Sequence, residues 1–130
     1  MRIVKSKTWK SLEIAVKNSV WGSKKRISTW SIGEKIVFLV EDDGVVFGKV
    51  SGEQFFSEDG LWEDDLYPWR VPINFESQLS GKEGRDFQIK LRLALKASYG
   101  KSTGALILFR LKLPDHVEGK VEELIQKECK

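Results

Sequence analysis

The sequence has very few of the residues from which metal sites, disulfides and catalytic triads are built. Its 130 residues include one cysteine, Cys129, and one histidine, His116. A single thiol cannot form an internal disulfide, and one imidazole without a partner argues against a zinc site or a histidine-based triad. From these shortages we predict no catalytic residue, no metal site, no cofactor and a reducing, cytoplasmic location.

Long apolar runs are missing as well. No segment reaches the roughly 18 to 20 consecutive apolar residues of a membrane-spanning helix, and the first ten residues lack the apolar core of a secretory signal. We therefore expect no membrane partner. With 41% hydrophobic and 32% charged side chains, the composition is typical of one globular domain, here residues 1–130.

Charge of one sign is not in large excess. The formal net charge of +3 is too small to identify a nucleic-acid-binding protein. Carboxylates gather in residues 41–44 and 57–65, where glycine-containing loops predict solvated acids and not catalytic ones. The following cations lie in stretches with few acids, which leaves a positive binding face and an ordinary solvated surface equally open: Lys24, Lys25, Arg26, Lys82, Arg85, Lys90, Arg92, Lys96, Lys101, Arg110 and Lys112.

The spacing of apolar residues predicts the first elements of structure. Residues 2–6, "RIVKS", form a short β-prone run. Residues 8–21, "TWKSLEIAVKNSVW", carry apolar side chains at the three-and-four spacing of an amphipathic helix, with Thr8 as its N-cap. Periodicity then disappears, so residues 22–34 are predicted to form a long loop, and such loops often have a function.

The middle of the chain reads as extended structure. Apolar runs at 35–40 and 45–56 flank an Asp-Gly turn and predict an antiparallel hairpin. Gly48, inside the second run, predicts a bulge or a close approach by another backbone. Residues 67–76, "YPWRVPINFE", are expected to be extended but irregular, or to lie at a sheet edge, because they contain two prolines.

Pattern and propensity disagree in the C-terminal half. Residues 87–95 alternate in the manner of a strand although their residue types favour a helix, and we predict a strand. Residues 105–113 fit either a buried strand or a short core helix. The last run, 114–129, has helical spacing with Pro114 near its start, which predicts a closing helix.

Five tryptophans are the most unusual feature of the composition. Trp9 lies on the apolar face of the predicted helix and is expected in the core. Trp21, Trp30, Trp62 and Trp69 fall in predicted loops or at their ends, where each ring either plugs the end of a β-barrel or lines a recess. Converging tryptophans would provide flat, apolar walls suited to a planar or cationic ligand.

Residues 3–26, "IVKSKTWKSLEIAVKNSVWGSKKR", resemble the opening of YTH domains and of the related EVE domains of the PUA-like superfamily. Later segments are similar in the same order: "GEKIVFLV", "GVVFGKVSGEQFF" and "GLWEDDLYPWRVPINF", which contains a Tyr-Pro-x-Arg motif, and then a Leu-Pro before the last helix. The similarity covers residues 3–76. It implies an α+β fold, a PUA-like β-barrel of five to six mostly antiparallel strands with flanking helices.

The same resemblance implies a nucleic-acid-binding reader and not an enzyme. In YTH domains an aromatic cage holds a flipped N6-methyladenine, and the positions that match its walls here are Trp21, Trp62 and Trp69. Positions at which the family contacts the base edge are Ser6, Lys7, Gly22 and Ser23, and Ser11 stands where YTH domains carry an acidic residue. The cations beside the cage, expected on the flanking phosphates, are Lys24, Lys25, Arg26 and Arg70.

Other functions remain open at this point. Some related domains form the N-terminal specificity domain of McrB-type restriction subunits, so the implied partners are DNA or RNA with a modified base and, beyond that, an NTPase, a nuclease or a fused motor domain. PUA-like relatives of the ASCH group include hydrolases of modified nucleosides, which makes a small enzyme the alternative. A third alternative is an interaction module in which the tryptophans serve only for packing.

Overall fold

Six strands and four helices make up the computed structural model, which describes residues 1–27, 29–63 and 66–128. Cys129 and the last two acids of the run 57–65 lie outside the described residues. In chain order the elements are β1 (Arg2–Ser6), α1 (Trp9–Asn18), β2 (Val20–Ser23), β3 (Lys35–Val40), β4 (Gly44–Val50), β5 (Phe55–Phe56), β6 (Trp69–Leu79), α2 (Gly81–Tyr99), α3 (Thr103–Leu108) and α4 (Asp115–Glu128).

The strands form one curled, mixed sheet in the order β1-β3-β4-β6-β2, with β5 paired to β6 beside this path. β1 runs parallel to β3, and every other pairing is antiparallel. The long strand β6 pairs with β2 and β5 through its first residues and with β4 through the rest. The sheet therefore curls into a half-barrel, which confirms a barrel-like α+β fold.

Both faces of the central strands are buried. In β3, Ile36 and Phe38 point into an inner cluster under α1, whereas Val37 and Leu39 point into an outer cluster under α2, α3 and α4. A strand covered on both faces needs apolar side chains at every position, which explains the unbroken run "KIVFLV". Within the described ranges, none of the four helices is both long and apolar enough to cross a bilayer.

The predicted hairpin is confirmed as β3 and β4, and so is the bulge at Gly48. The register of β4 against β6 shifts between Phe47 and Gly48. A Cβ on Gly48 would lie 2.7 Å from Ile73 Cγ2, so a side chain there would collide with the neighbouring strand. The extended structure predicted for residues 67–76 is confirmed from Trp69 onward by β6, whereas the predicted edge position is wrong: β6 lies between β4 and β2, and Pro72 lies opposite Val20.

The first helix begins as predicted but ends earlier. Thr8 is the N-cap, and its Oγ1 accepts from the Ser11 backbone N–H at 3.1 Å. The helix stops at Asn18 because Ser19 adopts a left-handed conformation with φ of 55°. Residues 20–23, expected in the helix end and in the loop after it, instead form the end strand β2.

Residues 87–95 are helical, so the predicted strand is wrong. They belong to the nineteen-residue helix α2. Only Phe87, Leu91 and Leu95 of the alternating apolar residues are buried, at the four-residue spacing of a helix face, while Ile89 and Leu93 are exposed. Two solvent-facing apolar residues thus imitated a strand pattern. Of residues 105–113, the first four belong to the short helix α3 and the rest form a turn and an irregular segment, while the closing helix is confirmed as α4.

Gly84 allows α2 to lie against the turn between β3 and β4. A Cβ at this position would be 1.9 Å from the Asp43 carbonyl oxygen. One turn further along, the Gln88 side chain donates to the carbonyls of Glu41 and Gly44 at 3.2 and 2.8 Å. The helix and the turn are therefore in direct backbone contact.

We expect Gly84→Ala to lower the free energy of unfolding by about 1–3 kcal/mol, because the added methyl must push α2 away from the turn. Gly119→Ala, in the interior of α4 with nothing within 4 Å of its Cβ, is the matched control. It should raise stability by about 0.5–1 kcal/mol, since alanine is the better helix former. Urea denaturation followed by circular dichroism measures both. Equal effects of the two substitutions would contradict this account of Gly84.

Candidate functional site

A recess of about 480 Å³ lies where the two end strands of the sheet, β1 and β2, contribute to one surface. Its volume falls in the range of roughly 300–1,000 Å³ that is usual for ligand pockets. Five segments line it: the end of β1, the first turn of α1, the strand β2 with the residues after it, the loop before β6, and the end of α3. The lining residues are Lys5, Ser6, Lys7, Ser11, Trp21, Gly22, Ser23, Lys24, Lys25, Trp62, Tyr67, Leu108, Phe109 and Arg110.

Trp21 belongs to both the core and the recess. Its side chain is buried in the inner cluster, and its ring packs on Phe38 with 5.0 Å between the ring centroids. The Arg110 guanidinium carbon stands 5.7 Å from the Trp21 ring centroid, within the distance of a cation–π interaction. The indole is therefore fixed by packing on Phe38, and the Arg110 guanidinium lies close to its ring.

Trp62 is held in the wall of the recess by three interactions. Its indole N–H donates to the Ser11 carbonyl oxygen at 3.0 Å, and its ring packs edge-to-face on Tyr67 at 5.5 Å. The ring also lies so close to Gly22 that a Cβ there would be 2.7 Å from two of its carbons. Glycine at this position of β2 is thus what permits Trp62 to reach the strand.

Tyr67 completes the aromatic part of the recess. Its hydroxyl accepts from the Lys7 ammonium at 2.8 Å, and the ammonium groups of Lys7 and Lys24 lie 5.5 and 5.9 Å from its ring centroid. Its backbone φ is 44°, in the left-handed region that a tyrosine rarely adopts. Arg110 also has a positive φ, of 53°, but it ends α3 with the hydrogen bonds of a helix C-cap, where that geometry is usual. Tyr67 is thus held in an unusual conformation by the surrounding structure.

The recess is strongly cationic although the whole chain is nearly balanced. Among the described lining residues are five cations and no carboxylate, against 22 cations and 19 acids in the whole sequence. A concave surface with charge of one sign concentrates ligands of the opposite sign. The side chains here can stack, donate hydrogen bonds and attract anions.

Arg110 is a recess cation whose backbone is anchored by a buried side chain. Its carbonyl oxygen accepts from Arg2 Nη1 at 2.7 Å, which fixes its backbone. Burial lowers the pKa of the Arg110 guanidinium, and no acceptor in the described part of the chain receives a hydrogen bond from it. A half-buried cation without a counter-charge is favourable only if an anion or water completes its surroundings.

Two buried polar atoms at the recess also lack partners within the described ranges. They are Ser6 Oγ, at the end of β1, and Trp21 Nε1, in β2. Buried polar groups are nearly always hydrogen-bonded in native proteins, so each of these two unpaired atoms destabilises the fold.

Most of the residues predicted for the site meet in the recess. The structure places nine of them in its lining: Ser6, Lys7, Ser11, Trp21, Gly22, Ser23, Lys24, Lys25 and Trp62. Trp9 and Trp30 are half-buried and pack against the inner cluster. The recess is therefore lined by residues from both ends of the segment 3–26.

Three predicted site residues lie outside the recess. The Trp69 ring packs edge-to-face on Phe56 at 5.2 Å, and the Arg26 guanidinium lies 5.7 Å from the Trp69 centroid. Arg70 is 3% exposed, so it does not present its charge to solvent as a phosphate contact requires. The predicted cage residue Trp69 and the predicted phosphate contacts Arg26 and Arg70 therefore do not contribute to the recess lining.

Arg70 has a structural environment instead. Its guanidinium donates to the Ser57 hydroxyl at 3.1 Å and to the carbonyl oxygens of Asp59, Leu66 and Tyr67, and its carbon lies 5.4 Å from the Trp62 ring centroid. All these partners belong to residues 57–67. Arg70 therefore holds the segment that carries Trp62 and Tyr67.

Five lining residues were not predicted for the site: Lys5, Tyr67, Leu108, Phe109 and Arg110. Lys5 directly precedes the predicted Ser6, and Tyr67 is two residues before Trp69, in the Tyr-Pro-x-Arg motif, so both lie in segments that had been singled out. The other three belong to a run that was expected to be buried. No pattern in the sequence shows that this run ends at the mouth of a recess.

No protein-family model and no curated protein matches this chain. The function must therefore be argued from the recess and its side chains.

Ser6→Ala tests whether the Ser6 hydroxyl lacks a partner in the free protein. Because a buried hydroxyl without a hydrogen bond destabilises the fold, we expect alanine to raise the free energy of unfolding by about 1 kcal/mol. Ser23→Ala is the control, since Ser23 is also buried but its Oγ accepts from the Lys25 N–H at 3.2 Å. That change should lower stability by about 0.5–1.5 kcal/mol. Chemical denaturation distinguishes the two signs, and a loss in Ser6→Ala as large as in Ser23→Ala would argue against an unpaired Ser6.

Proposed function

We propose that this chain is a nucleic-acid-binding reader of the PUA-like type, which holds a flipped, modified base in the recess and places cations on the flanking phosphates. The observation that carries the proposal is the combination of aromatic walls and five cations, without a carboxylate, among the described residues of one recess. A nucleotide joins a planar aromatic ring to an anionic phosphate. The recess offers a complement to each part.

The aromatic walls supply the energy that flipping requires. Stacking a base on an aromatic side chain is worth about 1–3 kcal/mol, and extruding a base from a duplex costs a few kcal/mol. One wall would only break even, whereas two or three walls hold the base. Trp21 and Trp62 are fixed by Phe38 and by the Ser11 carbonyl, so little conformational freedom is lost when a base binds.

Tyr67 is the third aromatic side chain in this proposal, in place of Trp69. Tyr67 lines the recess beside Trp62, whereas the Trp69 ring packs on Phe56. Arg110 adds a planar cation over Trp21. Guanidinium planes stack on bases as well as on indoles, so Arg110 can contribute both a stacking surface and a charge near a phosphate.

Selectivity for a modified base needs more than the walls. Burying one added methyl group gains about 0.8 kcal/mol, roughly a fourfold preference. Further discrimination would come from hydrogen bonds between the base edge and polar groups of the lining residues Ser11 and Gly22.

Tyr67→Leu tests the cage directly. We expect wild-type protein to bind an oligonucleotide with N6-methyladenine or 5-methylcytosine more tightly than the unmodified strand, as measured by fluorescence anisotropy. Loss of one stacking wall should weaken binding of the preferred strand by about tenfold to a hundredfold. Tyr99→Leu, at the exposed end of α2 outside the recess, should leave the Kd unchanged. Equal binding of all strands by the wild type, or an unchanged Kd in Tyr67→Leu, would refute the proposal.

Lys25→Gln tests the phosphate contacts. Each cation that neutralises a phosphate contributes close to one unit to the slope of log K against log salt concentration, so this change should reduce the slope by about 1. The control is Lys120→Gln, because Lys120 is exposed on α4 and does not line the recess. A salt titration of anisotropy gives both slopes. If the slopes of the two variants are the same, Lys25 does not meet a phosphate.

A further inference from the structure

Leu108 and Phe109 are apolar, exposed and placed at the recess. With 74% and 66% of their surface accessible, they are the most exposed large apolar side chains in the described part of the chain. Both line the recess, and Arg110 follows them directly. Exposing two neighbouring large apolar side chains is unfavourable in water, so a partner that covers them is expected.

The two side chains are presented by a firm backbone and not by a frayed end. The N–H groups of Phe109, Arg110 and Leu111 donate to the carbonyls of Ala105, Ile107 and Leu106 at 3.0 to 3.2 Å. Leu106 is buried in the outer cluster. Arg2 fixes the carbonyl oxygen of Arg110. Leu108 and Phe109 are thus held in place by buried Leu106 before them and by the Arg2 hydrogen bond to Arg110 after them.

We propose that Leu108 and Phe109 form a wedge that enters duplex DNA and fills the gap left when the recess takes up a base. This inference rests on the proposed function, and it names the substrate class of the same site. Apolar side chains such as Leu and Phe are the ones that proteins insert between base steps to unstack them. A wedge beside the recess would open the stack where the flipped base leaves it.

Charge identifies the partner of the wedge as a polyanion. Residues 101–114 contain three cations and no acid, so Leu108 and Phe109 lie between positive side chains. Lys5 and Lys7 add to the same positive surface from β1 and the residue after it. A protein partner with an apolar face would gain nothing from this surplus of cations, whereas a duplex brings phosphates on both sides of the opened step.

The wedge also favours a duplex over a single strand. In a single strand the base is already unstacked or easily splayed, and RNA readers take most of their bases from single strands. Side chains that fill a gap have no role there. In duplex DNA the gap must be created and filled, and the wedge then contributes to binding only where paired bases are separated.

The test compares the double variant Leu108→Ala/Phe109→Ala with wild type on three DNA probes. One is a duplex with a single methylated base, N6-methyladenine or 5-methylcytosine, whichever the wild type binds more tightly as a single strand. The second is that single strand, and the third is the duplex with an abasic site opposite the methylated base. Ile89→Ala/Leu93→Ala, two exposed apolar residues on α2, is the matched control.

We expect the wedge variant to bind the duplex about tenfold more weakly, because unstacking is no longer compensated, and to lose clearly less affinity for the single strand, where no step has to be opened. The abasic duplex should show a smaller loss than the intact duplex. 2-Aminopurine next to the methylated base should fluoresce less with the variant than with wild type. The control variant should match wild type on all probes.

Two results would overturn the wedge. Equal losses on duplex and single strand would show that Leu108 and Phe109 only contact the nucleic acid, and unchanged binding on all probes would show that they do not take part. If the wild type prefers no methylated strand at all, the proposed function fails together with the wedge. If Tyr67→Leu loses single-strand binding while the wedge variant binds the duplex normally, only the wedge fails.

Discussion

The buried guanidinium of Arg2 ties together three segments that are far apart in sequence. It donates to Glu34 Oε1 at 2.7 Å, to the Arg110 carbonyl at 2.7 Å and to the Thr29 carbonyl at 3.0 Å. A charge in the interior is tolerated only when its hydrogen bonds and its counter-charge are complete. The strand β1, the loop before β3 and the end of α3 must therefore come together for the chain to fold. The position of Arg110 over Trp21 follows from that requirement.

Arg70 performs the same task on the other side of the recess. Its guanidinium donates to the carbonyl oxygens of Asp59, Leu66 and Tyr67 and lies 5.4 Å from the Trp62 ring centroid. A second buried arginine therefore fixes the aromatic wall. The chain thus uses two buried arginines to hold the fold together, whereas the lysines that line the recess are exposed. The net charge of +3 hides this division, because it counts both kinds of cation alike.

The site could be predicted better from the first half of the sequence than from the second half. Strand β1, the capped helix α1 and the β3–β4 hairpin follow from local patterns, and the motif around Trp21 and Trp62 pointed to side chains that do line one recess. Helix α2 was missed because exposed Ile89 and Leu93 completed an alternating pattern. The burial of Arg70 was not foreseeable, since its acceptors are backbone oxygens that only the folded loop brings together. For the same reason the run around Arg110 gave no sign of reaching the recess.

One departure from ordinary backbone geometry lies at the recess. Of the four non-glycine residues with left-handed backbone in the described chain, Ser19 ends a helix and Glu41 makes a turn, where that geometry is needed. Arg110 likewise ends a helix, because the N–H groups of Arg110 and Leu111 donate to the carbonyls of Ile107 and Leu106 in the pattern of a helix C-cap. Tyr67 lines the recess, and its carbonyl accepts from Arg70, so a buried arginine helps to hold this unfavourable backbone. In the proposed function, a phosphate supplies the counter-charge that the half-buried Arg110 guanidinium does not receive from the described residues.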